Sequence, residues 1–384
     1  MIRDLVPLAE AVEKSGRKVY WLNIGDPGLF GFRPPEKVTA AIAEAVLSRK
    51  YTGYPHSSGD PELVEVLAKR EGVPKERILV TAGLSEGIAF VFHALAGAGE
   101  HILLPSPGYS LYNSRLAAET QMVDKSSFYS TDGNFQPDLE DICSKINGKT
   151  KGIVIINPNN PTGVVYSKEV LRSIVEIAKK ARIPIFADEI YDMLTLDGEK
   201  ITNMRDLADG HIAISGNGIS KNFFFPGARV GYLAVHGPEN EGAGRLMAEL
   251  MKQATQRLAV NWEMQRGALA AYTMPEAEVA AYHAAYLHEL RVRRDIVFEG
   301  LNGIPGITLV KPEGAFYAFA QIELGRFSDD LEFTKELLHE TGVFVIPGCG
   351  FSSEKPGFRV VFLAQPDELR EAIAKIAEFM RTHS

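Results

Sequence analysis

Cysteine is scarce in this sequence, since only Cys143 and Cys349 occur among its 384 residues. Two isolated thiols cannot form the disulfide framework of a small secreted protein, so we expect the reducing environment of the cytoplasm. Basic residues are outnumbered, with 41 Lys and Arg against 49 Asp and Glu, and the net charge of −8 argues against nucleic acid and anionic membranes as partners. No stretch approaches the roughly 20 uncharged apolar residues of a membrane span. These absences favour a folded enzyme whose substrates are small molecules.

Signatures of metal and nucleotide sites are also missing. The nine histidines are scattered, and His283 and His288 do not form the His-Glu-x-x-His frame of zinc enzymes. The two cysteines are not at ligand spacing, and neither a Gly-x-Gly-x-x-Gly nor a Walker-type loop occurs. We therefore expect no metal centre and no dinucleotide site.

The length and the hydrophobic pattern predict a two-domain α/β protein. A chain of 384 residues exceeds the size at which a single core usually keeps growing. Short apolar runs, typical of buried strands, occur at 77–81, 101–105, 151–156, 184–187, 211–215 and 230–235. Helical patterns such as 86–96 and 168–181 lie between them, which indicates a mainly parallel sheet covered on both faces. Ligands of such sheets gather at the carboxyl ends of the strands.

The pattern changes beyond about residue 265. A long helical run continues through Leu301, and it is followed by strand-like segments at 307–309, 316–322 and 343–346, with helices predicted at 330–341 and 366–381. This part of the chain predicts a second, smaller α+β unit. At the other end, residues 1–16 alternate apolar and charged side chains, which predicts an amphipathic helix rather than a secretory signal.

Polar residues follow two of the predicted strands. The loop 157–163, with the sequence Asn-Pro-Asn-Asn-Pro-Thr-Gly, is stiffened by its prolines and can present an asparagine amide as a hydrogen-bond donor. Asp188 and Tyr191 come after the run 184–187, and their i, i+3 spacing points both into one crevice if the turn is helical. A buried carboxylate requires a partner. The simpler interpretations are a tight connecting turn for the loop and a helix N-cap for Asp188.

In two further segments, a predicted strand leads into a turn that carries a candidate functional group. Lys221 lies in a loop rich in glycine and aromatic residues, and an apolar setting lowers the pKa of a lysine so that it can form a Schiff base. An isolated lysine is more commonly a surface group. The stretch from Gly83 to Ser85 leads a strand into a helix N-terminus, which is a typical anion site. The same stretch matches Gly-x-Ser-x-Gly, so a serine hydrolase using Ser85 remains an alternative.

Taken in chain order, these segments resemble the fold-type I aminotransferases of class I and II, which depend on pyridoxal 5′-phosphate (PLP), and in particular the alanine- and aspartate-aminotransferase-like members. The resemblance begins at 22–27, continues through Tyr54 and Gly59, and closes with 345–348 and 358–360. It implies an α/β fold whose large PLP-binding domain, 36–270, contains a mainly parallel seven-stranded sheet covered by helices on both faces. The smaller α+β domain would combine the N-terminal segment 1–35 with residues 271–384.

The resemblance also implies roles for single residues. Lys221 is expected to carry PLP as a Schiff base and to move a proton at the substrate α-carbon, and Asp188 is expected to pair with the protonated ring nitrogen. Asn160 and Tyr191 are similar to the family's hydrogen-bond donors to the cofactor O3′. Tyr109 matches the aromatic residue that stacks on the ring. The implied catalytic residues are therefore Lys221, Asp188 and Tyr191.

Phosphate and substrate contacts are implied in the same way. The expected phosphate contacts are the backbone N–H groups of Gly83 and Leu84, the Ser220 hydroxyl, the Arg229 guanidinium, and Tyr54 from the neighbouring subunit of a homodimer. Arg359 resembles the arginine that grips the substrate α-carboxylate, together with Asn160, and Gly25 marks the loop that closes over the substrate.

The chain departs from the family pattern at three positions. Gly218 stands where many members have serine, Leu84 where a hydroxyl or lysine is common, and Val64 where arginine is usual.

The reaction expected is transfer of an amino group from alanine or aspartate to a 2-oxo acid such as 2-oxoglutarate, with a PLP-dependent C-S lyase of the same fold as the alternative. Arg257 lies in a region where dicarboxylate-specific relatives present a second arginine, and it is equally interpretable as a surface residue.

Overall fold

The computed structural model, which describes residues 5–121, 123–198, 200–208, 210–238 and 242–383, alternates strands and helices along most of the chain. The helices are α1 (Val6–Lys14), α2 (Glu36–Ser48), α3 (Pro61–Glu71), α4 (Leu84–Leu95), α5 (Ser110–Thr120), α6 (Leu139–Lys145), α7 (Lys168–Ala181), α8 (Ile219–Asn222), α9 (Ala243–Arg257), α10 (Trp262–Tyr272), α11 (Glu276–Asn302), α12 (Asp330–Thr341) and α13 (Pro366–His383). The strands are β1 (Tyr20–Trp21), β2 (Ile78–Thr81), β3 (His101–Pro105), β4 (Phe128–Tyr129), β5 (Thr150–Ile156), β6 (Ile185–Asp188), β7 (Ala213–Gly218), β8 (Gly231–His236), β9 (Ile307–Leu309), β10 (Tyr317–Ile322), β11 (Val343–Phe344), β12 (Ile346–Pro347) and β13 (Gly357–Val361).

A seven-stranded sheet with the order β2-β8-β7-β6-β5-β3-β4 occupies the middle of the chain. Its strands from β7 to β4 pair in parallel, and β8 runs antiparallel to both of its neighbours. Strands such as β5 are buried on both faces, which explains why they appear in the sequence as continuous apolar runs rather than alternating ones. The prediction of a mainly parallel sheet built from the six apolar runs is confirmed, and β4 is the added seventh strand.

The C-terminal part of the chain forms a smaller, four-stranded antiparallel sheet with the order β12-β13-β10-β9. A separate parallel pair joins β1 to β11, so a strand near the N-terminus pairs with one near the C-terminus. The amphipathic helix predicted at 1–16 is present as α1, and residues 1–4 lie outside the described part of the chain. Its buried residues Ala9 and Val12 pack in one apolar cluster with Leu338 of α12.

Two predicted elements differ from the structure. The helical run expected from 265 through Leu301 is two helices, α10 and α11, because Pro275 has no backbone N–H and disfavours helical geometry at the residue before it. The strand expected at 343–346 is also two elements, since β11 pairs with β1 while β12 pairs with β13. A change of partner sheet within four residues depends on distant segments and leaves no mark in the local apolar pattern.

The topology brings the chemically interesting residues to one edge of the large sheet. Asp188 ends β6, the loop 157–163 follows β5, and Lys221 follows β7, so all three lie at carboxyl ends of parallel strands. Because β8 runs in the opposite direction, Arg229, two residues before its start, lies at the same edge. Among the described helices, none is both long enough and apolar enough to cross a membrane.

Candidate active site

A cavity of about 830 Å³ opens at this edge of the sheet. Most of the residues predicted from the sequence line it, namely Gly25, Leu84, Tyr109, Asn160, Asp188, Tyr191, Ser220, Lys221, Arg229 and Arg359. Gly83 is the residue directly before Leu84 and forms the turn into α4. The cavity therefore collects side chains from the large sheet, from the N-terminal segment and from β13.

Lys221 directs its amine into this cavity. The short helix α8 carries the residue, and its Nζ donates a hydrogen bond of 2.6 Å to the carbonyl oxygen of Gly25. Desolvation lowers the pKa of Lys221 to about 8, and the positive charges of Arg359 and Arg229 act in the same direction, while Asp26 opposes them. A lysine with this pKa is substantially neutral under mildly alkaline conditions and can act as a nucleophile or a base.

Asp188 is a buried carboxylate at the end of β6. Tyr112 donates its hydroxyl to Asp188 Oδ2 at 2.7 Å, and the backbone N–H of Ile190 donates to Oδ1 at 3.2 Å. Burial raises the pKa of Asp188 to about 6, although both hydrogen bonds oppose the rise. The described residues form no ion pair with it, and no helix follows it, so an N-cap does not explain this acid.

Arg359 is a buried cation that is not neutralised by any carboxylate in the described chain. Its Nη1 donates to Asn160 Oδ1 at 3.0 Å and its Nη2 to the Asn23 carbonyl at 2.6 Å. The rings of Tyr317 and Phe351 lie 4.7 Å from the guanidinium carbon, and burial lowers the pKa of Arg359. A guanidinium with neutral partners and an unbonded Nε is suited to receive a carboxylate from a ligand.

The loop 157–163 is both a tight turn and a support for Asn160. Asn159 Oδ1 accepts hydrogen bonds from the backbone N–H and the hydroxyl of Thr162, and Asn159 Nδ2 donates to the Tyr166 hydroxyl. These bonds fix the loop locally. Because Asn160 Oδ1 is occupied by Arg359, its Nδ2 is the group that can donate to a ligand.

Two tyrosines at the site were missed in the sequence. Tyr317 lies at the start of β10, and its hydroxyl is 2.8 Å from that of Tyr191. A side chain at Gly25 would overlap the Tyr317 hydroxyl, so the close approach of these segments requires glycine. Tyr112 follows Tyr109 at the same i, i+3 spacing that linked Asp188 to Tyr191, and that spacing was an available signal. Tyr317 had no comparable local signal.

The turn before α4 forms a small positive recess. Gly83 has a φ of +75°, and a Cβ there would overlap the guanidinium of Arg229, so the recess depends on glycine. Arg229 donates to the carbonyls of Pro226 at 3.1 Å and Ala82 at 3.3 Å. Leu84 is the first residue of α4, where backbone N–H groups have no partner within the helix. The recess combines a guanidinium with a helix N-terminus, as an anion requires.

The three departures from the family pattern have structural explanations. A Cβ at Gly218 would lie 2.7 Å from the Val230 carbonyl oxygen, so this backbone leaves no room for serine. The Leu84 side chain is buried and lies close enough to Gly216 to exclude a Cβ there. Val64 is buried in an apolar cluster with Leu63 of the same helix.

Three other residues named from the sequence, Tyr54, Arg257 and Ser85, differ in their relation to this cavity. Tyr54 is 85% exposed and does not line this cavity. Arg257 Nη2 donates to the Val80 carbonyl at 3.0 Å, and its Nε lies 3.3 Å from Glu86 Oε2. Its side chain is only 16% exposed, so it is not a surface residue. Ser85 lines the cavity, but none of the described histidines does, and a serine hydrolase would need one.

Comparison with known proteins agrees with this geometry. The family model described as aminotransferase class I and II matches residues 17–376. The chain is 35% identical to the glutamate-pyruvate aminotransferase AlaA of Haemophilus influenzae, covering 96% of this chain and 92% of that protein. It is 33% identical to the alanine aminotransferase of Mycobacterium tuberculosis, covering 97% and 88% respectively.

Solved structures give the same result. The alanine aminotransferase from Pyrococcus furiosus superposes with a TM-score of 0.93 at 38% identity, covering 99% of this chain and 97% of that one. The aspartate aminotransferase from Thermotoga maritima superposes with a TM-score of 0.86 at 30% identity, with coverages of 99% and 97%. Since the family match and these relatives extend over nearly the whole chain, this protein belongs to the class I and II aminotransferases and is a PLP-dependent amino acid transaminase.

Proposed function

We propose that this transaminase exchanges the amino group of alanine with 2-oxoglutarate, and that of glutamate with pyruvate. The observation that carries the proposal is the buried Arg359, a cation without a carboxylate in the described chain, which lies in the same cavity as the Lys221 amine. The names of the relatives from Haemophilus influenzae and Pyrococcus furiosus support the alanine and glutamate pair. Aspartate is the second candidate donor, because an aspartate aminotransferase is also among the related structures.

The residues present fit PLP. When bound, PLP supplies an aldehyde that condenses with amines and a cationic ring that withdraws electrons from the substrate α-carbon. Lys221 offers an amine with a lowered pKa, and Asp188 offers a carboxylate that forms no ion pair with described residues. The recess formed by Gly83 and Arg229 would be filled by any larger side chain at residue 83, and it suits a phosphate.

We assign the following roles to the cavity residues. Lys221 Nζ holds the cofactor and, as a neutral amine, takes the proton from the substrate α-carbon. With PLP bound, the Asp188 carboxylate would pair with the ring nitrogen and stabilise its positive charge, and Tyr109 would pack on the ring. Tyr191 and the Nδ2 of Asn160 would donate hydrogen bonds to O3′. Without a ligand, burial raises the pKa of Asp188. In this assignment the positive charge of the ring nitrogen would keep Asp188 ionised.

Phosphate and substrate carboxylate are assigned to opposite ends of the cavity. We assign the phosphate to the Arg229 guanidinium, the Ser220 hydroxyl and the backbone N–H of Leu84. The Gly83 N–H, which the resemblance implied as a further contact, already donates to the Thr81 carbonyl at 2.8 Å. Arg359 holds the substrate α-carboxylate bidentately, and Asn160 orients its guanidinium at 3.0 Å. The absence of a side chain at Gly25 lets the N-terminal segment approach the bound substrate.

The functional unit in this proposal is a homodimer in the cytoplasm. Tyr54 and Leu47 are large side chains that are 85% and 80% exposed, as expected of residues that meet a second subunit. We propose that Tyr54 reaches the phosphate of the partner subunit. The scarcity of cysteine, with Cys143 and Cys349 alone in the sequence, supports a reducing compartment.

Subunit complementation tests the shared site. A Lys221→Ala protein and a Tyr54→Ala protein are each expected to be weakly active or inactive, whereas a heterodimer of the two has one site with both native residues. Refolding them together is expected to restore activity, because the intact Lys221 of one subunit meets the intact Tyr54 of the other. If Tyr54 serves its own subunit, mixing restores nothing.

We also propose the domain division 1–35, 36–270 and 271–384, with the first and last segments together forming the small domain. Its support is the pairing of β1 with β11 and the location of the seven-stranded sheet between β2 and β8. Limited proteolysis of the holoenzyme is expected to cut first near residue 35 and at 273–275, the break between α10 and α11 that follows residue 270.

Borohydride reduction tests the central assignment. The protein loaded with PLP is expected to absorb in the near-visible range, to bleach on reduction, and to yield a peptide labelled at Lys221. Amino transfer from alanine to 2-oxoglutarate is then compared with pyruvate release from cystathionine, which a C-S lyase would catalyse. A label on another lysine contradicts the site, whereas release of pyruvate from cystathionine without amino transfer contradicts the reaction.

A further inference from the structure

The helix that carries Lys221 is too short to hold its own orientation. Helix α8 comprises only four residues, Ile219–Asn222, and isolated helices of this length are unstable in water. Its direction must therefore be set by contacts with the rest of the protein. The contacts lie on the side facing away from the cavity, where the completely buried side chain of Asn222 ends the helix.

Asn222 makes an unusually complete set of hydrogen bonds. Its Nδ2 donates to Asp192 Oδ1 at 2.7 Å and to Asn217 Oδ1 at 3.1 Å, and its Oδ1 accepts from the backbone N–H of Met193 at 3.2 Å. Its backbone carbonyl is 2.6 Å from His283 Nε2. Both polar atoms of the side chain thus contact the turn that follows β6.

Asp192 is the carboxylate that accepts the hydrogen bond from Asn222. It directly follows Tyr191 in the chain, and its side chain is only 3% exposed. While Oδ1 accepts from Asn222, Oδ2 accepts from Arg70 Nη2 at 2.8 Å and from Asn203 Nδ2 at 3.2 Å. An ion pair and three hydrogen-bond donors leave this carboxylate little freedom, so it is a firm anchor for Asn222.

We propose that Asn222 and Asp192 are positioning residues that fix the helix carrying Lys221 against the turn carrying Asp188 and Tyr191. This inference rests on the proposed function for the roles of those three residues. The sequence separates Asn222 from Asp192 by 30 positions, and their hydrogen bond joins the two segments directly behind the cavity. Without it, the Lys221 amine would lose its fixed position relative to Tyr191 and its shielding from water.

The test compares Asn222→Ala with Asn203→Ala. Both variants remove an asparagine that hydrogen-bonds Asp192, but only Asn222 belongs to α8. The first readout is the pH midpoint at which Lys221 of the apoenzyme is acetylated by acetic anhydride, measured by peptide mass spectrometry. The native midpoint is expected near the lowered pKa of about 8. In Asn222→Ala it is expected to rise toward the ordinary lysine value, because the amine becomes hydrated.

The second readout is steady-state kinetics of the holoenzyme. We expect Asn222→Ala to lower kcat on the order of 100-fold with little change in the KM for alanine, because a small displacement of a catalytic group slows the chemical step. Asn203→Ala is expected to keep both the native midpoint and kcat within about threefold. Equal effects of the two variants would show general loosening and would overturn the proposal, as would a native midpoint in Asn222→Ala.

Asn222→Asp covers the case in which the alanine variant does not fold. It preserves the volume of the side chain and replaces the donor to Asp192 by a like charge, and the same rise of the acetylation midpoint is expected. A native midpoint there overturns the proposal. The acetylation readout uses no PLP, so a shifted midpoint together with a borohydride label on a different lysine would contradict the proposed function while leaving the positioning role intact.

Discussion

Asp188 and Glu189 are adjacent in the chain, equally buried, and yet chemically different. Asp188 faces the cavity and accepts two hydrogen bonds, which limit the rise of its pKa to about 6. Glu189 faces the opposite side of the sheet, where burial and the negative charges of Glu71 and Asp192 raise its pKa to about 8. Only the backbone N–H of Met204, at 2.5 Å, donates to the Glu189 side chain among the described residues.

The difference shows that burial by itself does not make an acid functional. On the far face, Glu71 and Asp192 contact the cations Arg70 and Arg205, and a protonated Glu189 leaves this cluster without net charge. On the cavity face, Asp188 forms no ion pair within the described chain and is prepared to ionise when a cation arrives. One carboxyl completes a structural network, and its neighbour is the one that the proposed function assigns to the cofactor.

The largest expected effect comes from neutralising the two acids separately. Asp188→Asn is expected to reduce kcat/KM by a factor equivalent to about 3 kcal/mol or more of transition-state stabilisation, because the proposed charge partner of the ring nitrogen is lost. Glu189→Gln is expected to change kcat/KM by less than about threefold at pH 7, since it replaces an already neutral group. Steady-state kinetics with alanine and 2-oxoglutarate, supported by melting curves, compare the two. Similar losses of kcat/KM in both variants would contradict the distinction between the cavity face and the far face of the sheet.

The pH dependence of stability sharpens the comparison on the far face. The pKa of Glu189 is higher in the folded protein than in the unfolded chain, so the folded protein binds the extra proton between about pH 4.5 and 8. Its contribution is fully present below the unfolded pKa and is lost as the pH rises through 8. Denaturant unfolding is expected to show the native protein losing stability relative to Glu189→Gln between pH 5 and 8, on the order of 4 kcal/mol. If the free energies of unfolding of the two proteins changed with pH in parallel, Glu189 would be ionised in the folded protein over this range.

A smaller effect is expected from the hydroxyl that limits the pKa of Asp188. Tyr112→Phe removes the 2.7 Å hydrogen bond, so the pKa of Asp188 rises and the acidic limb of the kcat/KM profile moves to higher pH. The loss at pH 7 is expected to be about 1 kcal/mol. Tyr129→Phe is the matched control, because it removes a buried hydroxyl that bonds the Val154 carbonyl at 2.8 Å instead. An unchanged acidic limb in Tyr112→Phe would contradict this account of Asp188.

Much of the fold and of the cavity is predictable because it depends on short-range chemistry. Apolar runs bounded by turn residues identified β2, β3 and β5 to β8, and polar residues directly after those strands line the cavity. The anion recess is also local, since a glycine turn leads into a helix N-terminus there. Roles for Lys221, Asp188 and Arg359 came from the resemblance to the family, because their separate segments carry no common local pattern.

What the sequence determined by itself is the set of strands, the turns that end them and the side chains these turns carry, because each depends on neighbours within a few residues. Only the tertiary structure decided which partners those side chains have. The hydrogen bonds from Tyr112 to Asp188 and between Tyr191 and Tyr317 span 76 and 126 positions. Such pairs form where packed segments meet, and the same packing excludes a side chain at Gly218 and pairs Arg257 with the Val80 carbonyl.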